Sequence, residues 1–270
     1  MIDFAILMWK PFVACLVLTG MHAYLGLHVV ERKVIFVDLS LAQIAALGAT
    51  VAILLGFDPH AQITYVFSLT ATIIGAILFA ITRTRKETIP HEAIIGIIYA
   101  VSAALAILLL SRVAEGDEEL RHMLVGNILL VDQFELGKML ILYVSVGLIH
   151  WKFQERFLLI STEPSKAFSQ NINVKAWDLL FYVLFGIVVT SSVQIAGVLL
   201  VFSFLIVPAV SAMLFQKTIQ SRLIFGWIIG AVVSFLGIAT SYWLDLPTGT
   251  TIVCIFGFVL ILLALYKKLA

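Results

Sequence analysis

Leu179-Leu-Phe-Tyr-Val-Leu-Phe-Gly-Ile-Val-Val-Thr-Ser-Ser-Val-Gln-Ile-Ala-Gly-Val-Leu-Leu-Val-Phe-Ser-Phe-Leu-Ile-Val-Pro-Ala-Val-Ser-Ala-Met-Leu214 runs for 36 residues without a charged side chain. A helix needs about 20 predominantly apolar residues to cross a bilayer. The stretch reads as two crossings, Leu179–Ser191 and Ile195–Leu214, that nearly touch at Ser191–Gln194. Working outward, seven further candidates stand out: Phe12–Val30, Val34–Leu55, Ile63–Ile81, Ile94–Leu110, Leu136–Trp151, Leu223–Leu244 and Thr251–Tyr266. Several are short, so the expectation is about nine spans, with eight to ten the range.

Composition agrees. The 270 residues are 62% hydrophobic and 12% charged, with mean hydropathy +1.11. Soluble domains run about 45–50% apolar and about 25% charged. Backbone polar groups in lipid must be satisfied internally, and no porin-like alternation is visible, so the spans are helices. The expected class is all-α, a polytopic helical transmembrane bundle, with residues 1–270 forming one transmembrane unit. The balance of 17 Lys and Arg against 16 Asp and Glu gives a net charge of +1, which offers nothing to nucleic acid. Cys15 and Cys254 sit in apolar runs with no metal spacing and read as small hydrophobes. Met1–Trp9 is apolar but too short to span, and no basic segment precedes it, so no cleaved signal peptide is expected. No G-x-x-x-x-G-K-[ST] phosphate loop is present.

Loop charge sets an expected orientation. With nine spans, 13 of the 17 Lys and Arg fall on one side, among them Arg32, Lys33, Arg83, Arg85, Lys86, Lys152 and Lys267. Lys10, Arg112, Arg121 and Lys138 fall on the other. The N-terminus is therefore expected outside and the C-terminus in the cytoplasm.

Polar groups inside spans are costly and default to functional hypotheses. His22 falls in the first span; Asp38 lies about one turn into the second, with Gln43 five residues on. Asp38 reads either as a pathway residue or as a partner of Arg32 or Lys33, and His22 and Gln43 either as ligands or as packing hydrogen bonders. Pro90-His91-Glu92 opens the fourth span: an early proline and acid suit a helix start, and the pair could instead form a cation exit site. Between the fourth and fifth spans, Glu115-Gly-Asp-Glu118-Glu-Leu-Arg-His122 places Glu118 and His122 at i, i+4, within reach of one cation on a helix, or simply forms a solvated acidic loop. Ser203 and Pro208 interrupt the seventh span, beside small residues that allow close helix approach. No catalytic constellation is visible.

Four segments, in order, resemble the permease family of ATP-binding-cassette importers for zinc, manganese and iron. They are Val30 to Gly48, Ile94 to Ala100 followed by Leu124-Val-Gly-Asn-Ile-Leu129, Gly197 through Pro208, and Leu246-Pro-Thr-Gly249. The resemblance implies one permease domain, multi-pass in the plasma (inner) membrane, that is not itself an enzyme and binds no cofactor. It further implies a second copy of the chain, cytoplasmic ATP-binding subunits that hydrolyse ATP, and an extracytoplasmic metal-binding protein. Ser161-Thr-Glu163-Pro164-Ser165-Lys166-Ala167-Phe168 matches the place where such permeases present a short coupling helix: Ser161 or Thr162 could cap it, and Phe168 would be its apolar knob. The family's second helix commonly carries Asp and His at i, i+4. Here the fourth residue after Asp38 is Ala42, Gln43 aligns with the histidine, and Leu39 takes the acid's place. An amide is a poor zinc ligand, which points to a looser pathway or another cation. The function expected is ATP-driven import of a divalent metal, zinc first, then manganese or iron. The alternative is an ion-gradient-driven secondary transporter of a small solute or cation, which would carry discontinuous helices near mid-membrane and often an inverted repeat.

Overall fold

The computed structural model describes residues 2–83, 89–113 and 116–269. Arg85 and Lys86 of the basic loop and Glu115 of the acidic loop lie outside the described residues. The elements are α1 (Ile2–Glu31), α2 (Val37–Leu54), α3 (Gln62–Thr82), α4 (His91–Leu110), α5 (Gly116–Val125), α6 (Gln133–Lys152), α7 (Gln154–Thr162), α8 (Pro164–Ser169), α9 (Val174–Phe215), α10 (Ile219–Leu244) and α11 (Thr248–Leu269), with a 3-10 turn at Ile128–Leu130. The described residues contain no strand, and eight of these helices are long and apolar enough to cross a membrane.

The sixth and seventh expected spans are two halves of one element. As a straight rod, the 42 residues of α9 would measure about 63 Å, twice the roughly 30 Å of a hydrocarbon core. The rod is broken at Gly197 (φ 74, ψ 161) into 174–196 and 198–215, each of span length. The break falls after Ser191–Gln194: the helix carries on through the polar stretch, where Ser192 Oγ donates to the Val188 carbonyl. Only glycine suits position 197. Its φ is left-handed, and a Cβ there would sit 2.4 Å from the Gly126 backbone nitrogen. The Asn127 N–H donates to the Ile195 carbonyl (3.2 Å), one of the acceptors the break releases.

The described chain forms two compact units: residues 1–30, 124–147 and 194–270, and residues 31–123 and 148–193. In the first unit, segment 198–215 starts beside Gly126, and α11 starts with Gly249 3.1 Å, by its would-be Cβ, from the Val125 carbonyl. At their far ends the rings of Phe215 and Tyr266 meet at 6.2 Å. The two helices therefore run the same way, and α10 returns between them, capped at its start by Thr218 Oγ1, which accepts from Ser221 N–H, and stopped at left-handed Asp245. Segment 198–215 is thus a complete crossing. Helix α1 lies against this group, with Thr19 on Gly230 and Gly26 on the Leu205 carbonyl.

In the second unit α2 packs along α3 and α4. Gly48 lets the α2 backbone approach Phe67 and Ser68 of α3 with no room for a side chain, a close approach favoured in membranes, where tight packing rather than water exclusion holds helices together. The first half of α9 packs on α3 through a buried Thr72–Thr190 hydroxyl pair at 2.9 Å.

Candidate translocation residues and coupling segment

Asp38 is the most exceptional polar side chain of α2. It lies in the first turn, 1% exposed, and its Oδ1 has no hydrogen-bond partner among the described residues. Two residues on, Ser40 Oγ is buried in the same unpartnered way. Such groups cost on the order of 1–3 kcal/mol each. Gln43 is also buried, but five residues turn it about 140° round the helix from Asp38, so the two do not share a face.

His91 and Glu92 act as ties between helix ends. His91 Nε2 lies 3.0 Å from the Phe79 carbonyl and 3.2 Å from Thr82 Oγ1. A carbonyl only accepts, so Nε2 carries the proton and donates to the last turn of α3. Glu92 Oε1 accepts from the Phe36 N–H (2.9 Å), capping α2 from a neighbouring helix rather than capping its own, while its Oε2 is buried without a partner. Pro90 stands just before α4, at its N-cap. The start of α2 thus carries two carboxylates, those of Asp38 and Glu92, each with an unused oxygen, although 54 residues separate them in sequence.

His22 belongs to the other unit. Its Nδ1 lies 3.0 Å from the Leu18 carbonyl and must be its donor, and its ring packs on Tyr143 at 5.8 Å. Glu118 is exposed on α5. His122, one turn further, has its ring 5.7 Å from that of His60, a residue that nothing in the spacing singled out. Among the described residues, no three His, Cys, Asp or Glu side chains converge to hold a metal.

The segment expected to couple to an ATPase folds as the end of α7 followed by α8. Pro164 opens α8, with Glu163 at the N-cap and no side-chain cap bond. The expected caps are otherwise engaged: Ser161 Oγ donates to Phe157 O, and Thr162 Oγ1 to Leu158 O, both as the end of α7. Phe168 does not project as a knob. It packs inward with Leu159, Ile172 and Trp177 on the buried cluster of Ile160, Ala167 and Val174. The outward face carries Ser165 and an exposed Glu163–Lys166 pair at 3.3 Å.

Behind this segment lies a buried clasp. Arg32 Nε donates to Ser161 Oγ (2.8 Å) and Nη1 to Asp178 Oδ1 (2.6 Å), with the guanidinium 4.0 Å over the Phe181 ring. Arg83 Nη1 reaches both oxygens of Asp178 at 2.8 and 2.9 Å. Asp178 is 1% exposed. The clasp joins the α1–α2 loop, the end of α3, the end of α7 and the start of α9. Arg32, expected as a candidate partner of Asp38, pairs with Asp178 instead; Arg83 was counted only as loop charge and Asp178 was not singled out, although its place one turn inside α9 is the signal that could have found it.

The profile of the ABC 3 transport family matches residues 5–267. The manganese transport system membrane protein MntC of Listeria monocytogenes is 29% identical over 204 residues, 73% of this chain and 72% of that protein. The manganese import system permease protein ScaB of Streptococcus parasanguinis is 30% identical over 187 residues, 67% of this chain and 66% of that protein. A solved structure, PsaBC from Streptococcus pneumoniae in complex with Fab, is similar in fold, with a TM-score of 0.80 at 22% identity, covering 97% of this chain and 95% of that one. The chain belongs to the ABC 3 transport family and is a multi-pass membrane transport subunit rather than an enzyme.

Proposed function

We propose that this member of the ABC 3 transport family is the membrane path of an ATP-driven importer of a divalent metal ion, its residues 1–270 acting as one permease domain beside a second copy of itself. The observation that carries the reading is the clasp behind α7–α8. A partner ATPase engaging Glu163, Ser165 and Lys166 would load a segment whose inner side is fixed by Ser161 to Arg32 and by Asp178 to Arg83. Arg32 stands six residues before Asp38, so movement of the α1–α2 loop reaches the start of α2, where unused carboxylate oxygens lie. On this reading α7–α8 faces the cytoplasm, the N-terminus lies outside, and an extracytoplasmic binding protein delivers the ion.

The donor set favours manganese over zinc. Asp38 and Glu92 offer hard oxygen atoms, which suit manganese. His22 Nδ1 and His91 Nε2 donate to carbonyls, so either ring would bind an ion only through its other nitrogen. The names of the two manganese-transporting relatives support the same ion.

The test is to purify the tagged chain from its native membrane in mild detergent and identify what accompanies it. A stoichiometric soluble ATPase, lost when residues 163–168 are scrambled and stimulated by manganese in vesicles, is the expected result. A clean homo-oligomer with no ATPase, transporting on an ion gradient alone, overturns the reading in favour of a secondary transporter.

A further inference from the structure

The loop between α2 and α3 and residues 116–123 of the short helix α5 lie far apart in sequence, yet both belong to the second compact unit and meet at one end of it. That end is opposite the clasp. Helix α2 starts beside Glu92 and ends at Leu54; α3 begins at Gln62 and ends at Thr82, followed by Arg83, which donates to Asp178. α5 begins with the Gly116 backbone against the last carbonyl of α4. His60 and His122 come together there, ring centroids 5.7 Å apart and planes crossed at 79°.

Two imidazoles bound through nitrogen to one tetrahedral ion, at about 2.0–2.1 Å each, have ring centroids about 5 Å apart. The observed separation needs only a small closure to reach that value. His60 is held for it: its N–H donates to Asp58 Oδ1 (2.7 Å), and Thr64 Oγ1 donates to the Asp58 carbonyl (2.7 Å), fixing the turn from which the ring projects. His60 is exposed and His122 half-buried, so an arriving ion reaches both rings from water.

We infer that His60 and His122 form an ion-receiving site for a first-row transition-metal dication at the end of the second unit opposite the clasp; this rests on the importer reading for its role, though not for its binding chemistry. Because the described residues supply no third ligand, the remaining coordination positions stay open to water or to the group that hands the ion over. Open positions suit transfer, since a closed cage would hold its cargo. Imidazole nitrogen also sets the selectivity: the pair takes manganese, cobalt and zinc with rising affinity and rejects calcium and magnesium, which demand oxygen.

The experiment titrates the purified full-length chain in detergent with Co2+, read by its visible absorption, for the unsubstituted protein, His60→Ala and His122→Ala. The expected result is a transition in the unsubstituted chain that weakens on the order of tenfold or more in either variant, with millimolar Ca2+ unable to compete. Titrations that superimpose in all three proteins reduce the pair to edge-to-face ring packing and overturn the site. The same variants in vesicles with the partner ATPase should need more external metal for half-maximal uptake at an unchanged maximal rate. Loss of Co2+ binding in a chain with no ATP-dependent uptake keeps the site and removes the importer reading. Intact binding with normal uptake removes the site and keeps the importer.

Discussion

The start of α9 and the start of α2 each bury an aspartate one turn or so into an apolar helix, and each leaves it 1% exposed. Asp178 receives Arg32 and Arg83 through three short bonds on its two oxygens. Asp38 has a buried oxygen with nothing on it. The same residue type at the same burial is thus treated in opposite ways. A buried carboxylate is tolerated when paired, and an unpaired one is costly. A filled carboxylate marks a joint, and the oxygen of Asp38 that has no partner among the described residues is the feature from which its proposed pathway role starts.

The most severe challenge to that contrast is Asp178→Asn. Removing one partner strands two guanidiniums, one of them fully buried, and should cost about 3–5 kcal/mol. Thermal unfolding in detergent should show a large drop, together with loss of the accompanying ATPase as α7–α8 comes away from Arg32. If Asp178→Asn unfolds like the unsubstituted chain, the clasp is not a joint.

Asp38→Asn should do the reverse. Stability should hold or rise slightly, since an unpaired buried carboxylate is replaced by a neutral amide. Metal uptake in reconstituted vesicles should fall on the order of tenfold or more. Equal destabilisation in the two asparagine variants would erase the distinction between them.

Glu92→Ala sharpens the comparison from the other side, because Glu92 has one oxygen of each kind. Loss of the bond to Phe36 N–H removes a cap and a favourable charge at a helix N-terminus, worth about 1 kcal/mol. A modest fall in melting temperature with a clear uptake defect is the expected pair of readings; a fall in melting temperature alone would leave Glu92 a cap only. The smallest effect belongs to Lys166→Ala. Its exposed pair with Glu163 contributes about 0–1 kcal/mol, so melting should barely move while ATPase retention in pull-down weakens.

Much of this was legible in the chain itself. Membrane class, helical content and the places of most spans follow from long uncharged stretches, because lipid imposes its length and polarity on each segment separately. The start of a short helix at Pro164 was legible from the proline and the polar residues round it. What misled were local readings of groups whose partners are remote. Glu92 was expected to serve its own helix and caps α2 instead; Phe168 was expected to project and packs inward on Trp177; Ser161 was expected to cap and receives Arg32. The break in α9 was expected at the polar residues 191–194, but those stay helical, and it falls at Gly197, packed against Gly126.

By itself, then, the sequence determined the solvent this protein lives in and bounded the number of segments that can cross it, since hydropathy is a property each stretch has alone. Only the tertiary structure decided which charges are joints and which are open. Arg32 and Asp178 stand 146 residues apart, and His60 and His122 stand 62 apart. Whether a buried polar atom is satisfied depends on what the fold places within about 3 Å of it, and no local pattern of residues carries that distance.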